Sequence, residues 1–463
     1  MTTPSTVGAE TETATGIAHA IATGLLSPTE VAQRTIARIE RLDPDLGAMS
    51  DFDAERLLED AAQLTKEAGA RSRRGPLHGV PVGIKAWFDI EGYRAFLQQE
   101  RSDTDATLVR RLRSAGALIV GKTAVPIGET PPATRNPWNL DHTPGGSSSG
   151  SGAGVAARYF PLSLGEQTGG SNLRPAAYCG VAAIKPSYGL LSRDGMMSMM
   201  WSRDHPGLMG LSAADMMLAL PVLAGPDRND PITASAAALP EYIAGLDRPP
   251  SIGHVRNHFP ERAGTEANAA LERAARSLRD AGAQVQDFLL PDGFDVVWHA
   301  VAITAAEWVA DRAARWAAEG SEVRLEHLGT GSAAKNTSMR RSMELVPAPF
   351  YIHVRRIRQY ISESLRALMS AQGLDSILMP VTPGPAPAGF ETTGDPELLV
   401  PWSFLGLPAA TVNVGINDAG LPLGAQLVAP RGEDVRLLQV ADAVERILGT
   451  LPAPPLVQDS TKG

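Results

Sequence analysis

Cysteine is nearly absent from this chain. Only Cys179 is present among 463 residues, which excludes an internal disulfide and a cysteine-built metal cluster. Basic charge is also short: 42 Lys and Arg face 51 Asp and Glu, a formal charge of -9. Nucleic-acid binding by phosphate neutralisation is therefore not expected, and Arg71, Arg73 and Arg74 read as a solvated stretch. No apolar run approaches the roughly 20 residues of a membrane span, and the opening MTTPSTVGAETETATG has no targeting pattern. The nine histidines are scattered without paired ligand spacing, and His142, His205, His254 and His353 read singly as surface or core residues, so no metal and no cofactor are expected. These absences lead us to expect a cytoplasmic protein, monomer or homodimer, with a small-molecule substrate and neither membrane nor nucleic acid as partner.

What is present is ordinary globular material, 43% hydrophobic and 20% charged. Residues 12–70 read as helices: GIAHAIATGLL has helical spacing, and Ser27, Pro28 and Thr29 open SPTEVAQRTIARIERL with capping chemistry. From residue 76 short apolar runs alternate with amphipathic segments (GVPVGIKA, DATLVRRLRSAG, ALIVGKT), the pattern of an α/β core. SIGHV, EANAALERAARSLRDAG and AQVQDFLLP make a further strand–helix–strand unit. LDSILMP, PAATVNVGI and LPLGAQLVAP return to strands, and EDVRLLQVADAVERIL closes the chain as an amphipathic helix. We divide the chain into a helical segment over 1–75 packing on the core and an α/β domain over 76–463, with 298–370 a helical pocket insertion.

Within the α/β region, Gly145–Gly154 contains nothing but Gly, Ser and Ala. By composition this is a flexible linker, yet strand-like sequence lies on both sides. Two regular expressions match nearby without their structural context. Gly116–Thr123 (GALIVGKT) fits a phosphate-binding loop, but Ala117–Val120 are themselves the expected strand. Gly146–Gly150 (GSSSG) fits a nucleophile elbow, but the loop-like NPWNLDHTP precedes it where an apolar strand is needed.

Three features fall in chain order: Lys85 in GVPVGIKAWFDIEG, Ser147 in the Gly/Ser tract, and Ser171 in LGEQTGGSNLRPAAYCG. With RNPWNLDHTPGGSSSGSGAGVAA, GVAAIKPSYGLLS, DSILMPVTPGPAP and LGLPAATVNVG, the sequence resembles the amidase signature family over roughly residues 15–450. The resemblance implies one α/β domain with a central twisted mixed β-sheet covered by helices on both faces. It also implies a Ser–cis-Ser–Lys triad: Ser171 as nucleophile, Ser147 as bridging serine in a cis peptide, and Lys85 as base. The loop Thr168, Gly169, Gly170 and Ser171 becomes the oxyanion hole, and the reaction class becomes amide hydrolysis through an acyl-enzyme.

The residue types suit those roles. A serine hydroxyl is a poor nucleophile until a base takes its proton. Lysine, with a reference pKa of about 10.4, is a base only when neutral, and burial lowers its pKa. Lys85 closes the apolar run Val80–Ile84, which would bury it. A serine between them can accept from one neighbour and donate to the other. Small residues in TGGS let backbone N–H groups approach a developing oxyanion.

The chain departs from the family pattern at several places. Glu166–Gln167 stand where Thr-Asp is usual. Leu173 replaces the arginine two places after the nucleophile, with Arg174 one place later. Ala86 replaces an aspartate, and Ser149 stands where glycine is commoner. If the missing acid and base normally pair, losing both leaves no orphan charge. Gly145, Gly146, Met196, Met199 and Trp201 are candidate substrate contacts, and 298–350 and 385–405 are expected pocket walls. GMMSMMWSRDHPG can adapt to apolar ligands or simply fill core. The expected substrate is a small apolar or aromatic amide, anilide or carbamate. The alternatives are the glutaminase component of an amidotransferase complex and a non-catalytic binding protein of the same fold.

Overall fold

The computed structural model describes residues 12–70, 72–96, 100–126, 134–304, 306–307 and 346–459. Its strands are β1 (Met49–Phe52), β2 (Pro81–Lys85), β3 (Leu118–Thr123), β4 (Leu162–Gln167), β5 (Ala182–Lys185), β6 (His205–Gly210), β7 (Ser251–Val255), β8 (Gln284–Phe288), β9 (Ser376–Pro380), β10 (Ala409–Ile416) and β11 (Pro422–Val428). They form one mixed sheet in the order β1-β3-β2-β4-β6-β5-β10-β11-β9-β7-β8. β2 runs parallel to both β3 and β4, and β6 runs antiparallel to β4 and β5.

Side-chain alternation along the strands divides the core in two. Ile119, Ala182, Ile184 and Leu208 face one apolar cluster, with the helices Ala213–Leu223 and Asp434–Leu448. Their neighbours Leu118, Val120, Ala183 and Met209 face the other, with the helices Pro28–Leu46, Ala54–Gly69, Ser149–Ala156 and Leu173–Cys179. This is the period of two of a strand feeding both faces of a covered sheet. The structure is thus the helix-covered mixed sheet that the resemblance implied.

The N-terminal helices form largely as their sequence dictates. Ser27 and Glu30 make a reciprocal capping box, Pro28 occupies the first turn, and Gly47 ends the helix in the left-handed region. One difference appears: the segment before residue 75 also supplies β1, an edge strand antiparallel to β3. The four residues MSDF are too short to show strand alternation, and β3 provides the pairing that makes them a strand. Leu118–Thr123 is a strand, so the phosphate-loop match there is excluded. Of the expected insertion, 305 and 308–345 lie outside the described residues; helices Val296–Thr304 and Ala348–Ala371 flank them. Among the described residues no helix is long and apolar enough to cross a membrane.

Candidate active site

The sheet order brings the chemistry together. β2 and β4 are parallel neighbours with Ile84 opposite Leu164, so their carboxyl ends lie side by side, where open α/β sheets place ligands. Lys85 is the last residue of β2, and Glu166 and Gln167 end β4. Lys85 Nζ donates to Glu166 Oε2 at 2.9 Å and to Ser147 Oγ at 2.8 Å. Both members of the Lys85–Glu166 pair are fully buried.

Ser147 belongs to the Gly/Ser tract, which is ordered and mostly buried. The peptide bond Gly146–Ser147 is cis, and Ser149–Ala156 continues as a helix under the sheet. Gly150 shows why the tract is built of small residues: a Cβ there would lie 2.1 Å from the Ala48 carbonyl oxygen and 2.4 Å from the Ala124 nitrogen. Gly145 has φ +82°, and a Cβ would press on the Pro175 backbone at 2.9 Å. Ser149 Oγ donates to the Gly145 carbonyl at 2.7 Å, closing the turn before the helix. Ser148 N donates to the Ser171 carbonyl at 3.1 Å, which ties the tract to the second serine loop. The structure therefore brings Lys85, Ser147 and the Thr168–Ser171 loop to one place. Ser147 and Ser171 are each partly exposed.

The loop between β4 and the helix Leu173–Cys179 is held at both ends. Gln167 Oε1 accepts from Asn172 N at 3.1 Å and Leu173 N at 2.9 Å, and its Nε2 donates to Ser403 Oγ at 3.0 Å. Ser403 Oγ in turn donates to the Gly169 carbonyl at 2.8 Å. A neutral amide thus satisfies the helix start, and Leu173 beside it is wholly buried among apolar side chains. Neither charge of the usual pattern is needed there. Arg174 turns elsewhere: it donates to the Gly146 carbonyl at 2.6 Å, the Gly394 carbonyl at 2.5 Å and Thr393 Oγ1 at 2.9 Å. It grips the carbonyl of the cis peptide itself. Among the described residues the N–H groups of Gly169, Gly170 and Ser171 have no backbone acceptor.

Burial pushes Lys85 below the usual lysine range, opposed by the charges of Glu166 and Asp204. The Trp87 ring centroid lies 3.7 Å from Nζ and adds a cation–π contact. Behind Glu166, Thr168 Oγ1 sits 2.7 Å from both Glu166 Oε1 and Asp204 Oδ1. Burial, reinforced by the nearby Glu166, pushes the Asp204 carboxyl up to about 7. Asp204 Oδ2 accepts from Ser198 Oγ, Met199 N and Met200 N at 3.0, 2.6 and 2.8 Å.

The expected substrate contacts separate. Gly146 forms the cis peptide with Ser147, and Gly145 precedes it. Met199 packs against the Ala86–Trp87–Val125 cluster beside Lys85, whereas Met196 lies in the main apolar core. Trp201 is 51% exposed, with Arg193 over its ring at 4.2 Å. A cavity of about 810 Å³ includes Tyr188, Ile352, Arg358, Leu405 and Arg431 in its lining; Leu405 ends the expected 385–405 wall, but none of the individually expected site residues lines it. Asp204 was not among the expected site residues; its only trace in the sequence is a lone acid in the apolar stretch GMMSMMWSRDHPG. Glu166 was visible as a departure from the motif without a stated role. Among the described residues no cluster of three His, Cys, Asp or Glu is placed to hold a metal ion.

Comparison with known proteins identifies the family and the fold. A family model described as Amidase matches residues 30–438. The chain is 32% identical to the glutamyl-tRNA(Gln) amidotransferase A subunit of a Synechococcus strain, covering 94% of this chain and 96% of that one. It is 33% identical to the corresponding protein of Anaeromyxobacter dehalogenans, with the same coverage. Among solved structures, native peptide amidase from Stenotrophomonas maltophilia superposes with a TM-score of 0.81 at 27% identity, covering 96% of this chain and 98% of that one. A 6-aminohexanoate cyclic dimer hydrolase complexed with substrate gives 0.82 at 26%, covering 96% and 99%. The chain belongs to the amidase signature family, whose members hydrolyse C–N bonds.

Proposed function

We propose that this protein hydrolyses small apolar or aromatic amides, anilides or carbamates through an acyl-enzyme on Ser171. The observation that carries this reading is the fully buried Lys85 Nζ held 2.8 Å from Ser147 Oγ. A lysine with its pKa lowered by burial has a neutral form to act as base. In the proposed reaction Ser171 Oγ attacks the substrate carbonyl carbon. Its proton passes to Ser147 Oγ, and the Ser147 proton passes to Nζ. The N–H groups of the Thr168, Gly169, Gly170 and Ser171 loop receive the oxyanion. Lys85 returns the proton through Ser147 to the leaving nitrogen, and water then releases the acid by the same route. The apolar surroundings of Trp87 and Met199 favour a substrate without a fixed charge.

A second reading is a glutaminase that works within an amidotransferase complex, favoured by the full-length similarity to amidotransferase A subunits. The two separate on one panel: p-nitroanilides, aryl carbamates, aliphatic amides and glutamine given to the purified chain alone. Turnover of an anilide or carbamate supports our reading, and glutamine hydrolysis without it supports the second. A fluorophosphonate serine probe should label the intact protein and fail on Ser171→Ala. Lys85→Ala should lower kcat by about 10²–10⁴-fold, the usual worth of a general base. Near-wild-type turnover in that variant, with the fold intact by circular dichroism, refutes the proposed base.

A further inference from the structure

The Thr168 hydroxyl has one hydrogen and two carboxylate oxygens to serve. Glu166 Oε1 and Asp204 Oδ1 each lie 2.7 Å from Thr168 Oγ1. If both carboxyls were ionised, one contact would set a lone pair against a negative oxygen in a buried place, which is costly. Both contacts become hydrogen bonds once a carboxyl carries a proton.

We propose that Asp204 holds this extra proton, so that the Asp204–Thr168–Glu166 chain leaves Glu166 as the single carboxylate facing Lys85. The proposal rests on the reading of Lys85 as the base. In this arrangement Asp204 Oδ1–H donates to Thr168 Oγ1, and Thr168 O–H donates to Glu166 Oε1. Glu166 Oε2 remains ionised and accepts from Lys85 Nζ.

The surroundings favour that location for the proton. Glu166 has Lys85 Nζ as a hydrogen-bond donor 2.9 Å away, the group that becomes an ammonium when it takes the Ser147 proton. Asp204 is 1% exposed, and among the described residues no lysine or arginine lies within ion-pair distance of it. The groups that face it at longer range are Glu166, Lys85, Arg193, Arg203 and the Tyr188 phenol. Of these, Arg193 is engaged by Asp230 at 2.9 Å. The three donors to Asp204 all reach Oδ2, which leaves Oδ1 to carry the hydrogen.

The consequence for the reaction is a matter of charge. When Nζ takes the Ser147 proton, an ammonium forms beside one carboxylate and the buried cluster becomes neutral. A second ionised carboxyl would instead hold Lys85 protonated beforehand, with no lone pair for Ser147. Glu166, Thr168 and Asp204 are positioning groups in this scheme and do not touch substrate. A family pattern with Thr-Asp at 166–167 has no carboxylate at the first of these positions, so the arrangement belongs to this chain.

The test is the acid limb of kcat/KM against pH, read in Glu166→Gln and Asp204→Asn. Glu166→Gln removes the carboxylate facing Lys85 and should move the limb about 1–3 units lower, the usual effect of losing an adjacent opposite charge. In Asp204→Asn the amide N–H can donate to Thr168 Oγ1 as the protonated acid does, so the limb should stay in place. A limb that moves as far in Asp204→Asn as in Glu166→Gln means Asp204 is ionised and overturns the proposal, and so does an unmoved limb in Glu166→Gln. Carboxyl ¹³C NMR of the full chain gives a readout independent of turnover: one carboxyl should titrate well above the ordinary aspartate range and vanish in Asp204→Asn. Its absence also overturns the proposal. Failure of the wild type on every amide, with this carboxyl signal present, would instead count against the functional reading.

Discussion

Gln167 is the side chain whose loss should be felt furthest. It links the end of β4 to the start of the helix Leu173–Cys179, and the Thr168–Ser171 loop hangs between them. Gln167→Ala leaves Asn172 N and Leu173 N buried without an acceptor, at ~1–3 kcal/mol each, and removes a contact to Ser403 worth ~1 kcal/mol. The expected destabilisation is therefore about 3–7 kcal/mol. At ~2.1 cal/mol/K of unfolding entropy per residue, 463 residues give about 1 kcal/mol/K, so the melting temperature should fall by about 3–7 °C. The freed loop carries Ser171, and a displacement of about 1 Å there costs on the order of 10²-fold in kcat. Gln167→Glu separates the contributions: it keeps both acceptors for the helix start but loses the donor to Ser403 and adds a buried charge. Differential scanning fluorimetry and anilide kinetics on both variants make the assay. A melting temperature within about 1 °C of wild type in Gln167→Ala, with unchanged kcat, would show that Gln167 does not hold the loop.

Arg174→Met should lower kcat with little change in KM, because it releases the Gly146 carbonyl next to Ser147. Arg174→Lys should not restore it, since one ammonium cannot reproduce the planar fork that reaches Gly146, Thr393 and Gly394; full rescue by lysine refutes this. Burial raises Glu445 from 4.5 to about 8, so the folded chain binds more protons than the unfolded chain across that interval. Stability should fall as pH rises from about 5 to 8. Glu445→Gln keeps an acceptor for Ala213 N and should flatten the decline, melting higher than wild type at pH 8; an equally steep decline in the variant shows that Glu445 is not its source.

Much of the architecture was legible because burial leaves a direct mark on residue choice. β2 is covered on both faces, so PVGIK reads as a strand despite ending in a polar residue. The Gly/Ser tract was misleading by composition alone. Its small residues answer to steric demands, since Gly150 leaves no room for a Cβ beside Ala48 and Ala124. β1 escaped notice because four residues carry no periodicity and depend on β3 for their hydrogen bonds.

By itself the sequence determined the α/β class, the burial of Lys85 and the three motifs that hold Lys85, Ser147 and Ser171. The class and the burial follow from local hydrophobic pattern, whereas the three motifs were legible through their resemblance to the family. Tertiary structure alone decided what stands behind the lysine. Glu166 is 81 positions from Lys85 and Asp204 a further 38, and only the parallel pairing of β2 with β4 and the antiparallel return of β6 set their carboxyls on one line with Thr168. A charge acquires its meaning from its partners and its distance from water, and neither is written in the chain order.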